Sequence, residues 1–260
     1  MASETPSSHP FSIPFVARTE DEFAQELATS SPPAGGGAAL IVTANVAHIV
    51  ELRRNARFRR AYSHAWRATA DGTPVYLYAN ARGANLPGRL TGSGCFAKLM
   101  DKLRPDAHRC FFVAPSDEAG ARCCKWLQER GFPAEQNAYV VPQYGFEQDD
   151  AASLSLARAI RAHRATHVFF AVGAPKSEIW IHEHSGELGD CFAMCIGAGI
   201  EFFVGIKSRG PHWMGAVGME WLFRLLSEPR RLGSRYLVES WSFLAAVWDD
   251  VTGRRLVRSE

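Results

Sequence analysis

The chain alternates short apolar runs with stretches of helical period, and this alternation restricts its fold more than any other feature. ALIVTA at 39–44 is followed by VAHIVELRRNARFRRAYSHA at 46–65, which carries apolar residues at helical spacing. PVYLYA, CFFVA and AYVV read as further strands, and HVFFAVG (167–173) and CFAMCIG (191–197) complete the set. CFAKLMDKL, EAGARCCKWLQER, AASLSLARAIRAHR and the segment from Lys176 read as helices between and after them. Continuous apolar strands are buried on both faces, and a helix of ten or more residues between strands is the length of a crossover. The sequence therefore predicts βαβ units and an α/β fold, a mostly parallel sheet with helices on both faces. In such sheets ligands bind beyond the carboxyl ends of the strands, where loops and helix N-termini gather.

The alternation also divides the chain. SSPPAGGGAA (30–39) is a loop rich in Gly and Pro, so residues 1–37 are expected to be a flexible N-terminal segment. Residues 38–215 form the α/β core, and from 216 to 260 the strands stop and a helical C-terminal appendage follows. A chain of 260 residues that is 47% hydrophobic can bury such a core and carry an appendage. Lys+Arg 29 against Asp+Glu 27 leaves a formal charge of +2, which argues against wholesale nucleic-acid binding. MASETPSSHPFSIP lacks the basic start and apolar run of a secretory leader, and no apolar run approaches the roughly 20 residues that span a bilayer. The six cysteines form no C-x-x-C pair, and Cys191 and Cys195 lie in an apolar stretch. Buried thiols in a reducing cytoplasm are expected, and no zinc site.

The strand ends hold the candidate chemistry. ALIVTA runs into Thr43 and Asn45, whose hydroxyl and carboxamide suit a ligand, although capping the next helix accounts for either equally well. Asp71, in ADGTP before the expected strand PVYLYA, is either a turn residue or an accessible carboxylate able to take a proton from an attacking hydroxyl. RLTGSG places Arg89 before a Gly-rich turn, a pattern that suits phosphate but is common. VGAPKSE brings Gly173, Pro175, Lys176 and Glu178 to a strand-to-helix junction, and IGAGIEFF repeats the arrangement with Gly197, Gly199 and Glu201. Two glycine-bearing strand ends point to a nucleotide-sized ligand. The full dinucleotide fingerprint is missing, which weakens a dehydrogenase reading.

Taken in order, TANVAHIV, ADGTPV, GRLTGSG, HVFFAVGAPKSEIW and IGAGIEFFVGIKSRGPHWMGAVGMEWLFRLLSEPRRLGSRY resemble the bacterial WecG/TagA/CpsF glycosyltransferase family over about residues 38–240. The resemblance implies a Rossmann-like core with a membrane-directed appendage. It implies inverting transfer from a UDP-sugar to an undecaprenyl-diphosphate-linked sugar, without a cofactor or an obligatory metal, on the cytoplasmic face of the bacterial membrane. Asp71 matches the family's catalytic base, and Thr43 and Asn45 match its catalytic pocket. Arg89, Arg209, Arg224, Arg231 and Arg235 match groups that hold the lipid diphosphate. Gly173, Pro175, Lys176, Glu178, Gly197, Gly199 and Glu201 fall to the nucleotide sugar. Ser177 stands where the family usually has Gln, Glu201 where it has Asp, Gly94 where Asp is frequent, and Gly210 where Ala precedes Pro211.

These departures lie near the expected donor pocket and leave the donor open among N-acetylmannosamine, its uronic acid and glucose. They also keep a rival in view, a non-catalytic nucleotide-binding partner of a polysaccharide assembly complex. Intact Thr43, Asn45, Asp71 and Arg89 argue against that rival. A homo-oligomer is compatible with the sequence. No DxD-type pair is present, and His182 and His184 lie two apart, on different faces of a helix, so no metal site is expected.

The appendage allows two readings. GMEWLFRLLSEPRRLGSRY (218–236) mixes Trp221, Leu222 and Phe223 with arginines, and Leu237, Trp241, Leu244, Trp248 and Val251 then recur at three- and four-residue steps. Such a stripe either packs on the core or meets a membrane surface. The crowding of Arg224, Arg231 and Arg235, with the acceptor implied by the resemblance, favours the membrane.

Overall fold

The computed structural model describes residues 9–208, 229–253 and 256–257, with residues 229–239 described by backbone alone. Six strands form one sheet: β1 (Ala38–Ala44), β2 (Arg67–Ala70), β3 (Cys110–Val113), β4 (Asn137–Val140), β5 (His167–Phe170) and β6 (Cys191–Cys195). Their order is β2-β1-β6-β5-β3-β4 and every pairing is parallel. The expected α/β architecture is what forms.

Side-chain alternation along each strand builds two cores. Leu40 and Val42 of β1 face one layer, and Ala39 and Ile41 face the other. The first layer is covered by α2 (Val46–Arg54), α3 (Ala56–Ser63), α4 (Thr73–Ala81), α7 (Asp150–His163) and α8 (Lys176–Leu188), through Ile49, Phe58, Val75, Leu156 and Trp180. The second is covered by α1 (Glu20–Thr29), α5 (Gly92–Lys102), α6 (Asp117–Gln128) and α9 (Gly199–Phe203), through Phe23, Phe96, Cys123 and Ile200. All six cysteines are free and buried in these layers. Burial pushes the Cys123 thiol up to about 12 and Cys124 to about 11, so both stay protonated at neutral pH.

Four expectations are corrected. PVYLYA is not a strand but the body of α4, whose first turn contains Pro74 and whose buried residues Val75 and Ala79 lie four apart while Leu77 points to solvent. The strand is RATA at 67–70, too short and too polar to announce itself; pairing with β1 makes it one. Asp71 therefore follows a strand and precedes a helix. The expected helix at 46–65 breaks at Asn55, which ends α2 through its N–H to Glu51 O and caps α3 by accepting from Phe58 N–H at 3.1 Å.

The fourth correction concerns the N-terminal segment. From residue 9 onward it is part of the packed body: Phe11 and Ile13 are buried, and α1 lies against α5 with Phe23, Ala24 and Leu27 inside. A capping box at Thr19 and Glu22 starts α1. The Gly-Pro loop that suggested softness simply joins this helix to β1.

The final helix, α10 (Pro229–Val251), packs on α2 and on the short turn at Pro10–Ser12. Ala246 is fully buried, and Phe243 and Val247 pack against the first core layer. Asp250 pins the contact. Its carboxylate accepts from Phe11 N–H at 2.7 Å and from Tyr78 Oη at 2.6 Å, and Asp249 pairs with Arg53 at 2.9 Å. The stripe Trp241, Leu244, Trp248 and Val251 lies on the other side, 75%, 57%, 68% and 55% exposed; the side chain of Leu237 is outside the described residues. Among the described residues no helix is long and apolar enough to cross a membrane. Asp250→Ala is expected to cost about 2–3 kcal/mol in urea unfolding, because it leaves two donors without their acceptor where water is largely excluded. An unfolding midpoint equal to that of the native chain would show that this contact does not hold the helix.

Candidate active site

β1 and β6 are neighbours in the sheet, but their following helices leave to opposite faces, α2 to one layer and α9 to the other. A crevice opens between such strands at their carboxyl ends. Here it holds a cavity of about 680 Å³ whose wall includes Thr43, Asn45, Asp71, Gly173, Pro175, Glu178, Gly197 and Gly199. Four separate strand ends thus bring the sequence candidates together.

Asp71 is placed by three local features. Its N–H donates to Ala44 O at 2.9 Å, continuing the β1–β2 pairing one residue past Ala70 and setting Asp71 beside Asn45. Gly72 has φ of 90°, a left-handed backbone that glycine adopts without strain, and it turns the chain directly into α4. Asp71 Oδ2 accepts from Gly92 N–H at 3.2 Å, so the start of α5 orients the carboxylate. Gly92 comes so close to Thr43 that a Cβ there would lie 3.0 Å from Thr43 Cγ2.

Of the two, Thr43 and Asn45, only Asn45 caps a helix, and both line the cavity. Thr43 is buried and its hydroxyl donates to Cys195 O at 3.2 Å, bridging β1 and β6 under the cavity. Asn45 caps α2 by accepting from His48 N–H at 3.1 Å, and it still lines the cavity. Gly173 and Gly197, with φ of 90° and 51°, carry the backbone round the two facing strand ends.

Other candidates stand off the wall. The Lys176 ammonium lies 5.7 Å from the Tyr144 ring centre and 5.8 Å from that of Phe146. Glu201 pairs with Lys207 at 2.7 Å. Arg89 donates to Thr73 Oγ1 at 3.4 Å, in the first turn of α4. Arg209 and Arg224 lie outside the described residues, and Arg231 and Arg235 are described only as backbone positions of α10. Ser177 lines the cavity, but its hydroxyl turns back to Gly173 O at 3.0 Å. Gly94 leaves the space that Glu20 of α1 fills, and Glu20 Oε1 accepts from both the N–H and the hydroxyl of Thr91.

The cavity also contains residues that the sequence did not single out. His48, Glu51 and Arg54 come from α2, Ser93 from α5, and Ser242 from α10. His48, Glu51 and Arg54 fall three apart at helical period on the face of α2 beyond the strand end, a spacing that was legible once Asn45 was taken as the cap. Ser242 had no signal, since only the docking of α10 brings it to the cavity. Glu178 is 2% exposed, and burial pushes its carboxyl up to about 7. Its Oε1 lies 3.8 Å from His48 Nε2, and His48 Nδ1 is 2.6 Å from Tyr62 Oη.

The lining of this nucleotide-sized cavity includes a positioned carboxylate, a hydroxyl and a carboxamide, together with residues at helix starts. That set suits displacement of an anionic leaving group by a hydroxyl. Comparisons with known proteins supply the family. The chain is 28% identical over 219 residues to the N-acetylglucosaminyldiphosphoundecaprenol N-acetyl-beta-D-mannosaminyltransferase of Bacillus spizizenii (strain ATCC 23059 / NRRL B-14472 / W23), covering 84% of this chain and 82% of that one. It is 26% identical over 197 residues to the enzyme of the same name from Staphylococcus aureus (strain MRSA252), covering 74% of each. The family model described as Glycosyl transferase WecG/TagA/CpsF family matches residues 9–256, so it takes in the N-terminal helix, the cavity and α10 alike. The chain belongs to this family and is a glycosyltransferase.

Proposed function

We propose that this protein transfers a sugar from a UDP-sugar to a sugar carried on undecaprenyl diphosphate, at the inner surface of a bacterial membrane, in the synthesis of a surface polysaccharide. The observation that carries this reading is the convergence of Asp71, Thr43 and Asn45 on one wall of the β1–β6 crevice. The names of the two relatives supply the acceptor class, a sugar on diphosphoundecaprenol, and a β-linked product.

The acceptor hydroxyl attacks the anomeric carbon of the donor from the face opposite the diphosphate. The new C–O bond forms as the bond to the diphosphate oxygen breaks, so the configuration inverts. Asp71 takes the hydroxyl proton, and UDP leaves with the bonding electron pair. Asn45 and Thr43 orient the reacting sugars. Gly173 and Gly197 let the nucleotide approach the backbone, and the start of α9 and Arg54 stabilise the departing charge. Arg89 and the arginines between 209 and 235 hold the lipid diphosphate, close to the membrane.

The exposed face of α10 supports the site of action. Two tryptophans and two aliphatic residues on one side of a docked helix match the composition of interfacial helices. The test is a panel of UDP-sugars, N-acetylmannosamine first, assayed with N-acetylglucosamine- and glucose-primed undecaprenyl diphosphates. Transfer with a UDP-sugar in the presence of a chelator is expected. UDP release that stops in chelator and returns with magnesium or manganese would overturn metal independence. No product from any lipid-linked acceptor would overturn the reading itself.

A further inference from the structure

Glu178 lies at the wall of the cavity, yet it has the surroundings of a core residue. One carboxyl oxygen, Oε2, is inaccessible to water and has no hydrogen-bond partner. The groups that face it come from three other elements. His48 of α2 presents Nε2 at 3.8 Å from Oε1, beyond hydrogen-bond range. Tyr62 of α3 holds the far side of that imidazole, and its phenol is raised well above the ordinary value by burial and by the charges of Glu178, Cys195 and Asp71. Cys195 of β6 hydrogen-bonds the carboxyl group, and burial first, then Glu178, pushes its thiol up. On the cavity wall, Arg54 is already paired with Glu51 at 2.6 Å.

No lysine or arginine pairs with Glu178 among the described residues. An ionised carboxylate buried with an orphaned oxygen and no lysine or arginine beside it is disfavoured, whereas the neutral acid is tolerated. The same cavity, on the reading above, must admit a diphosphate that carries two negative charges.

We propose that Glu178 is a positioning residue that works as an uncharged acid: with its proton it adds no negative charge to the cavity wall and the anionic diphosphate binds, and without it the added charge repels the diphosphate. This rests on the diphosphate reading of the cavity. The carboxyl titrates at about 7, so its charge changes within the range in which a bacterial enzyme works. The sign follows directly. Below that value the acid form dominates and binding is full; above it the binding-competent fraction falls about tenfold per unit of pH.

The experiment is calorimetric binding of UDP-N-acetylglucosamine and, separately, of inorganic diphosphate between about pH 6 and pH 8. The native protein is expected to lose about tenfold in affinity across the range. It is also expected to take up close to one proton on binding at the alkaline end, read from buffers of different ionisation heat. Glu178→Gln carries the ligand's own titration but not the residue's, so its affinity is expected to stay level with the UDP-sugar and to show no such uptake. Proton uptake by the native protein stands alone as evidence if the variant does not fold. Binding of inorganic diphosphate with this pattern, but not of the UDP-sugar, supports Glu178 and removes the nucleotide donor. A flat native profile, a Glu178→Gln profile that falls like the native one, or binding of neither probe overturns the proposal.

Discussion

Asp71→Asn is expected to lower transfer by about 10²–10⁴-fold while leaving folding and UDP affinity near those of the native protein. The amide has almost the shape of the carboxylate and keeps a carbonyl oxygen to accept from Gly92 N–H, so the bond that orients residue 71 survives. What it loses is the capacity to take the acceptor's proton. The contacts that position the residue, Asp71 N–H to Ala44 O and the left-handed turn at Gly72, involve only backbone and are indifferent to the substitution. Single-turnover transfer, circular dichroism and UDP calorimetry on the same preparation separate the effects. Turnover within a few-fold of the native rate would make Asp71 a turn residue and return the search for a base to the other groups on the cavity wall.

Trp241→Glu with Trp248→Glu is expected to reduce sedimentation with anionic liposomes by on the order of 10²-fold, and transfer to lipid-linked acceptor with it. Each tryptophan withdrawn from an interface removes about 1.5 kcal/mol or more of apolar burial, and about 3 kcal/mol in total corresponds to that factor. Both side chains are more than half exposed and lie opposite Phe243, Ala246 and Asp250, which hold the helix to the core. Folding should therefore be unaffected. Deleting residues 218–260 does not isolate the apolar face, because it also removes the acceptor of Phe11 N–H and Tyr78 Oη and uncovers the packing under Ala246. If the double variant binds liposomes and uses lipid-linked acceptor as the native chain does, the apolar face serves some other contact.

How much of this was legible beforehand differs from residue to residue. The apolar runs at 39–44, 167–170 and 191–195 carried the parallel sheet, because a strand buried on both faces must be apolar throughout. The family blocks carried the reaction class and pointed to Thr43, Asn45 and Asp71 as partners. The stripe on the last helix was visible at its three- and four-residue steps, but periodicity states only that one face is apolar, not what that face meets. Docking decided that it does not meet the core: Asp250 and Ala246 turn the opposite face inward.

Tertiary structure alone decided the remainder. RATA is a strand because β1 offers it a partner, and PVYLYA is a helix because Gly72 and Pro74 start one there. The N-terminal helix is ordered because Phe23 and Leu27 have a core to enter, and Glu20 has Thr91 to meet. Lys176 and Glu201 leave the cavity wall because aromatic rings and Lys207 are nearer partners. Glu178 was named from its motif as one more polar residue at a strand end. Its burial, its orphaned oxygen and its raised titration depend on α2, α3 and β6 converging around it from residues 17 to 130 positions away in the chain. Local sequence sets propensity and period, whereas the charge state of a buried group is set by every element that excludes water from it.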